Sequence, residues 1–132
     1  MKKLGLLLAF VVFVCSSCKK EYITEATPNQ TILVNLPANQ WKLESDGITY
    51  SAAISVPELT QFANTNAGVL VYLSYNQGGV YEQIPEVYQG LSYSYTHNEG
   101  NVTIYAQEST GTGSITAPGA VTVKIILVDS SQ

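Results

Sequence analysis

The 132-residue sequence has no arginine: all six of its basic residues are lysines, and charged side chains make up only 12% of the chain. Proteins that bind nucleic acids neutralise phosphates with clustered lysine and arginine side chains. The formal net charge is −4. Without residues 1–17, which hold Lys2 and Lys3, four lysines face ten acidic groups, a balance of about −6. The sequence therefore predicts no nucleic-acid partner.

Side chains that catalyse reactions or bind metals are also scarce. His97 is the only histidine, and no GxSxG motif offers a serine nucleophile. Asp46 stands without the alternating oxygen ligands of a calcium loop. Glu82 and Glu86 flank Pro85, and two carboxylates can hydrolyse a glycosidic bond when they lie across a cleft. Two exposed glutamates bordering a turn are the other interpretation, and we expect no enzymatic activity, metal or cofactor.

The only two cysteines, Cys15 and Cys18, lie at the end of the only long apolar run, residues 4–14. Two lysines precede this run, and the small residues Ser16 and Ser17 follow it. This order is typical of a secretory signal peptide. As a helix, eleven residues would span about 16 Å, whereas the hydrocarbon core of a bilayer is about 30 Å thick. The run is therefore too short to cross a membrane.

The CxxC spacing of these cysteines also occurs in redox pairs and zinc sites. A zinc site needs further Cys or His ligands, which the sequence does not supply. We interpret Cys15 as part of the apolar segment. Cys18 follows small residues and precedes polar ones, and this context resembles the lipobox of bacterial lipoproteins. The short Leu- and Phe-rich leader that ends in Ser-Cys-Lys-Lys-Glu is similar to lipoproteins of the Bacteroidota.

The resemblance implies that residues 1–17 are a lipoprotein signal peptide and that Cys18 carries the lipid. Two or more acyl chains hold a protein stably on a bilayer, so the resemblance implies an anchor in the outer membrane of the cell envelope. Lys20-Glu21 partly matches a surface-export signal of that group, which leaves the leaflet open. Residues 18–30 then form the lipid-attachment site and a tether, and residues 31–132 form the domain.

Within that domain, apolar and polar residues alternate with a period of two, which is typical of half-buried strands. Residues 48–56 are the clearest case, and the Asp46-Gly47 turn pairs them with residues 40–43. In that hairpin Trp41 and Leu43 should point inward. A turn at Glu99-Gly100 predicts a second hairpin whose apolar positions share one face. Its opposed pairs are Tyr95 with Ile104 and Tyr93 with Ala106.

Further strands are predicted at residues 31–36, 69–74, 80–84 and 121–128. Helical spacing occurs only near residues 57–63, where Pro57 suits a first helical position. Residues 108–119 are small, polar and glycine-rich, which predicts a loop. About eight short strands with one short helix indicate an all-β fold, an antiparallel β-sandwich of immunoglobulin-like or jelly-roll type. Segments such as AGVLVYLSY and YEQIPEVY resemble a pattern of uncharacterised Bacteroidota lipoproteins, which implies no activity.

The sequence is rich in tyrosine, with nine residues. Tyrosine and tryptophan stack on sugars and dominate protein-binding surfaces, but they also pack well across pleated strands. If a functional patch exists, Tyr81 and Tyr88 beside Pro85 are its best candidates. The sequence thus predicts a lipid-anchored, non-enzymatic binding or structural accessory domain. Its partners would be the bilayer, through Cys18, and a glycan or envelope protein. The alternatives are a carbohydrate-binding module and a small carbohydrate-active enzyme that uses Glu82 and Glu86.

Overall fold

The computed structural model describes residues 28–130, which form nine strands, one short helix and one 3-10 turn. The strands are β1 (Gln30–Leu36), β2 (Lys42–Leu43), β3 (Tyr50–Ser55), β4 (Gly68–Ser74), β5 (Glu82–Ile84), β6 (Glu86–Tyr88), β7 (Leu91–Asn98), β8 (Asn101–Glu108) and β9 (Val121–Val128). The 3-10 turn spans Ala38–Gln40, and the helix α1 spans Gln61–Asn66. None of the helices in this part of the chain is long and apolar enough to span a membrane.

The strands form two antiparallel sheets that pack as a β-sandwich, as predicted. One sheet has the order β1-β9-β4-β5, and the other has the order β2-β3-β8-β7-β6. The chain moves from the first sheet to the second across a cis peptide bond between Ile84 and Pro85. The ninth strand, β6, is not among the predicted strands, because a segment of three residues is too short to show the alternation of apolar and polar residues.

The alternating residues of both sheets meet in one hydrophobic core. In β9 every second residue is buried, and the residues between are half-buried. The buried set of β9 is Val121, Val123, Ile125 and Leu127, and it faces a matching set from β8, which is Val102, Ile104 and Ala106. Because the side-chain period of a strand is two, these residues hold the register of both sheets.

The predicted register of the β7–β8 hairpin is confirmed. Tyr95 lies opposite Ile104, and Tyr93 lies opposite Ala106. The strands predicted at residues 31–36 and 121–128 agree with β1 and β9 to within one residue.

Two local predictions are wrong. The helix begins at Gln61 rather than near Pro57, because the Oγ1 atom of Thr60 caps it by accepting a hydrogen bond of 3.2 Å from the backbone N–H of Ala63. Leu59 is therefore outside the helix, and it is buried in the core. Trp41 is buried as expected, whereas Leu43 is 53% exposed. Leu43 lies opposite Tyr50, on the core-facing side, but at the edge of the sheet its side chain stays largely outside the core.

The two ends of the sandwich differ. At the entry end, where Pro28 leads into β1, α1 and the β7–β8 turn close the core: the N–H of Gly100 donates to the carbonyl of Leu59, and His97 Nδ1 lies 2.7 Å from Asn64 Oδ1. At the far end, loops and the 3-10 turn cover the core in the described part of the chain. The antiparallel register puts the end of β1, the end of β4 and the start of β9 there.

Removing a buried side chain should show that the shared core stabilises both sheets. We expect Ile104→Ala to lower the free energy of unfolding by about 2–5 kcal/mol, since the side chain is buried in the centre of β8. Val87→Ala is the control, because Val87 is 63% exposed and surface changes usually stay within about 0.5 kcal/mol. Urea denaturation measures both. Equal losses in the two variants would contradict this description of the core.

Candidate functional site

Four aromatic side chains form a continuous row at the far end, which we call the aromatic ladder. Trp41 meets Tyr93 edge-on at a centroid distance of 6.4 Å, and Tyr93 meets Tyr75 at 5.6 Å. Tyr75 and Tyr88 stack face to face at 3.8 Å, with an angle of 2° between their planes. Trp41 and Tyr93 are buried, whereas Tyr75 and Tyr88 are half-buried. The ladder therefore leads from the core to the surface.

Hydrogen bonds fix the loop that carries Tyr75. The side-chain carbonyl of Asn76 accepts from the hydroxyl of Ser74 and from the backbone N–H of Val80, each at 2.9 Å. The Ser74 hydroxyl in turn accepts from the N–H of Gly78 at 2.8 Å. These bonds hold the turn after β4 in one conformation, so the Tyr75 ring is positioned before any ligand arrives.

Tyr88 is positioned by the tight turn between β6 and β7. Gln89 and Gly90 have φ angles of 49° and 79°, which is the conformation of a two-residue hairpin turn. The N–H of Ser109 donates to the carbonyl of Gly90 at 2.9 Å and ties the turn to the loop after β8. The side-chain amide of Gln89 donates to the Tyr88 hydroxyl at 3.3 Å.

A groove of about 420 Å³ opens beside the ladder, and we call it the far-end groove. Trp41 Nε1 donates to the carbonyl of Gly119 at 3.2 Å and so fixes the loop that forms the opposite wall. The groove is lined by Tyr75, Tyr88, Gln89, Leu91, Tyr93 and residues 116–121. No lysine lines it.

Two further cavities adjoin the far-end groove. One of about 200 Å³ shares Tyr75 and Tyr88 with it and is also lined by Glu82. Another of about 610 Å³ shares Ala120 and Val121 with it, but the described part of the chain contributes no aromatic or ionisable side chain to its lining. The stacked tyrosine pair therefore lines two cavities.

Glu86 is bound to the ladder. Its Oε1 atom accepts a hydrogen bond of 3.0 Å from the Tyr75 hydroxyl. Burial, together with this hydrogen bond, holds the pKa of Tyr75 well above its usual range. Burial and the nearby charge of Glu86 raise the pKa of Tyr93 to about 12. Both phenols stay protonated at neutral pH, so neither adds a negative charge to the ladder.

The two predicted tyrosines lie in different clusters. Tyr88 belongs to the ladder, whereas Tyr81 packs with Tyr72 around Lys124 on the outer face of the β1-β9-β4-β5 sheet. The Lys124 ammonium lies 4.2 Å from the centroid of the Tyr81 ring and 4.6 Å from that of Tyr72, a cation–π arrangement. Tyr81 and Tyr88 therefore belong to two separate aromatic clusters.

Asp46 and His97, two other residues considered from the sequence, do not line the groove. Cys18 is outside the described residues. The Asp46 carboxylate accepts hydrogen bonds from the N–H groups of Ile48 and Thr49 and from the Thr49 hydroxyl, so it stabilises its own turn. These bonds lower the pKa of Asp46. Within residues 28–130, no group of three or more His, Cys, Asp or Glu side chains is placed to hold a metal ion.

Sequence reasoning missed Tyr75, Tyr93 and Trp41 as parts of one site. Tyr75 and Tyr93 are 18 positions apart, and Trp41 belongs to another part of the chain. Trp41 and Tyr93 come together through the strand order of one sheet, and Tyr75 joins them from the other sheet. No local motif could have signalled this.

No protein-family model matches this chain, and neither a curated protein nor a solved structure is significantly similar to it. Fold and site therefore define only a class: an antiparallel β-sandwich with a tyrosine-lined groove at the end opposite the chain entry.

The buried phenols should make the fold sensitive to alkaline pH. A raised pKa in the folded state means that Tyr93 stabilises the fold below its ordinary pKa of 10.0 and that this contribution is lost as the pH rises towards about 12. Tyr93→Phe keeps the ring and removes the ionisation. We expect its stability to fall less steeply than that of the parent over this range, as followed by urea denaturation at each pH. Parallel curves for the two proteins would contradict the assignment.

Proposed function

We propose that this protein is a lipid-anchored lipoprotein of the cell envelope whose β-sandwich is a non-enzymatic binding domain. The far-end groove is its ligand site. The stacked Tyr75–Tyr88 pair, which lines two cavities, is the observation that carries the binding role. The anchoring role rests on the sequence around Cys18.

The position of the groove is compatible with an anchor at Cys18. The chain enters the sandwich at Pro28, and β1 runs from there towards the far end. The tether therefore joins the domain at the end opposite the groove. An acylated N-terminus would hold the domain beside the bilayer without covering the ladder.

The chemistry of the groove favours a neutral, hydroxyl-rich ligand. Flat aromatic faces stack on the apolar faces of sugar rings, and phenol and amide groups at the rim hydrogen-bond their hydroxyls. Tyr88 and Gln89 supply both kinds of contact. A carbohydrate-binding module is accordingly the second candidate function. It is a specific form of the non-enzymatic binding domain proposed above.

Glu82 and Glu86 also lie near the ladder, which keeps a carbohydrate-active enzyme as the rival. A glycosidase needs two carboxylates that flank one bond. Here the Glu86 carboxylate accepts from the Tyr75 hydroxyl, a contact that orients the ring. Glu82 lines the smaller cavity beside it. Because Glu86 orients the Tyr75 ring and Glu82 lines a separate cavity, the two carboxylates support ligand binding rather than hydrolysis. Glycan turnover by the parent protein that Glu86→Gln abolishes would favour the rival.

Cys18→Ser tests the anchor. If Cys18 carries the lipid, the parent protein should sediment with membranes and begin at an acylated Cys18, whereas the variant should leave the membrane fraction or keep its leader. Fractionation and mass spectrometry of the N-terminus measure this, and Cys15→Ser is the matched control, expected to behave like the parent. An unmodified parent N-terminus would refute the proposal.

Tyr88→Ala tests the groove, with Tyr81→Ala as a control of identical chemistry in a separate cluster. A glycan array probed with the mature chain would identify a ligand. We expect Tyr88→Ala to weaken its binding at least tenfold, about 1.4 kcal/mol, because it removes half of the stacked pair. Tyr81→Ala should bind like the parent.

Circular dichroism distinguishes a lost site from a lost fold. If Tyr88→Ala keeps the parent spectrum and still binds as the parent does, the groove is not the ligand site. If both variants lose binding equally while folded, the outer face around Lys124 takes part as well, and binding is not confined to the groove.

A further inference from the structure

The four edges of the two sheets are not equally protected. Three edge strands are very short: β2 has two residues, and β5 and β6 have three each. The fourth, β1, has seven. Short edge strands offer few free N–H and C=O groups to another chain. Only β1, among the edges in residues 28–130, is long enough to accept a full partner strand.

The sequence of β1, QTILVNL, also has none of the devices that usually block edge pairing. It contains no charged residue and no proline. Each of its seven residues is paired with β9 in an unbroken register, so no bulge turns the edge away. Natural edge strands of this length usually carry a lysine, a proline or a bulge to prevent association.

The side chains of β1 are incompletely covered. Leu33, in the middle of the strand, is 62% exposed on the outer face of its sheet. On the opposite, core-facing side, Ile32 and Val34 are only partly buried, although they contact the core. The described residues therefore leave apolar surface on both faces of one edge.

We propose that β1 pairs antiparallel with β1 of a second copy of this chain, which gives a continuous sheet of eight strands. A two-fold axis at Leu33 is the one register that pairs all seven residues. It sets Leu33 opposite Leu33 on the outer face and Ile32 opposite Val34 on the inner face. The half-covered apolar side chains of one copy then cover those of the other, and no charge is buried.

The pairing is geometrically compatible with two tethers on one membrane. In this register the two Pro28 ends lie ten residues apart along the strands, roughly 33 Å at 3.3 Å per residue. Residues 19–27 of each copy can extend to about 30 Å. Both lipid-modified termini can therefore reach the same bilayer when the shared sheet lies along it.

Thiol cross-linking of the full-length protein, expressed in a bacterium that acylates lipoproteins, tests this pairing. Directly opposed residues of an antiparallel pair have Cβ atoms about 4.5–5.5 Å apart. Leu33→Cys should therefore shift from monomer to covalent dimer with a short bismaleimide. Leu43→Cys is the matched control, an exposed leucine on the β2 edge, and it should stay monomeric like the parent.

The register has its own test. Thr31→Cys alone should not cross-link, because its opposite residue is Asn35. Co-expression of Thr31→Cys and Asn35→Cys should give the mixed dimer.

The other outcomes overturn the proposal. Adducts of Leu33→Cys with a different protein would mean that another strand occupies the edge. A monomeric Leu33→Cys thiol shielded from maleimide would mean that residues 19–27 of the same chain cover it. An accessible thiol that stays monomeric would mean that the edge is free.

Discussion

Burial of one face of each sheet against the other is the constraint on which the rest of this structure depends. The alternating residues of β8 and β9 fill the space between the sheets, and the side-chain period of two allows no shift of either strand without exposing its apolar set. Trp41 and Tyr93 belong to that buried layer. Because they are fixed there, the two tyrosines stacked outward from them are fixed as well.

The contacts that the sequence predicts well are local in the chain. The β7–β8 register follows from the turn at Glu99-Gly100 and from alternation within 18 residues. The predicted start of the helix at Pro57 is wrong. Pro57 and Thr60 both suit a helix start, and the hydrogen bond from the Ala63 N–H to Thr60 Oγ1 places the start at Thr60.

The groove could not be predicted in the same way. Its walls come from the loop after β4, the β6–β7 turn and the loop before β9, and the bond from Trp41 Nε1 to Gly119 joins positions 78 residues apart. Tyr88 was singled out for its neighbours in sequence, beside Pro85. The residue on which it stacks, Tyr75, lies before the point at which the chain crosses from one sheet to the other. The alternation of apolar and polar residues predicts which face of a sheet a residue occupies, but it does not predict which strands are neighbours in the sheet.

The same fold accounts for both candidate interaction surfaces. α1 and the β7–β8 hairpin close one end of the sandwich. The loops at the other end frame the groove. An open sheet must also have edges, and this chain shortens three of them while β1 stays long and uncharged. The groove and the β1 edge share no residue, so a ligand in the groove and a second copy on β1 would use different contacts. Binding and self-association would then be additive on a membrane surface, where a paired domain gains avidity for a repetitive ligand without any new contact in the groove.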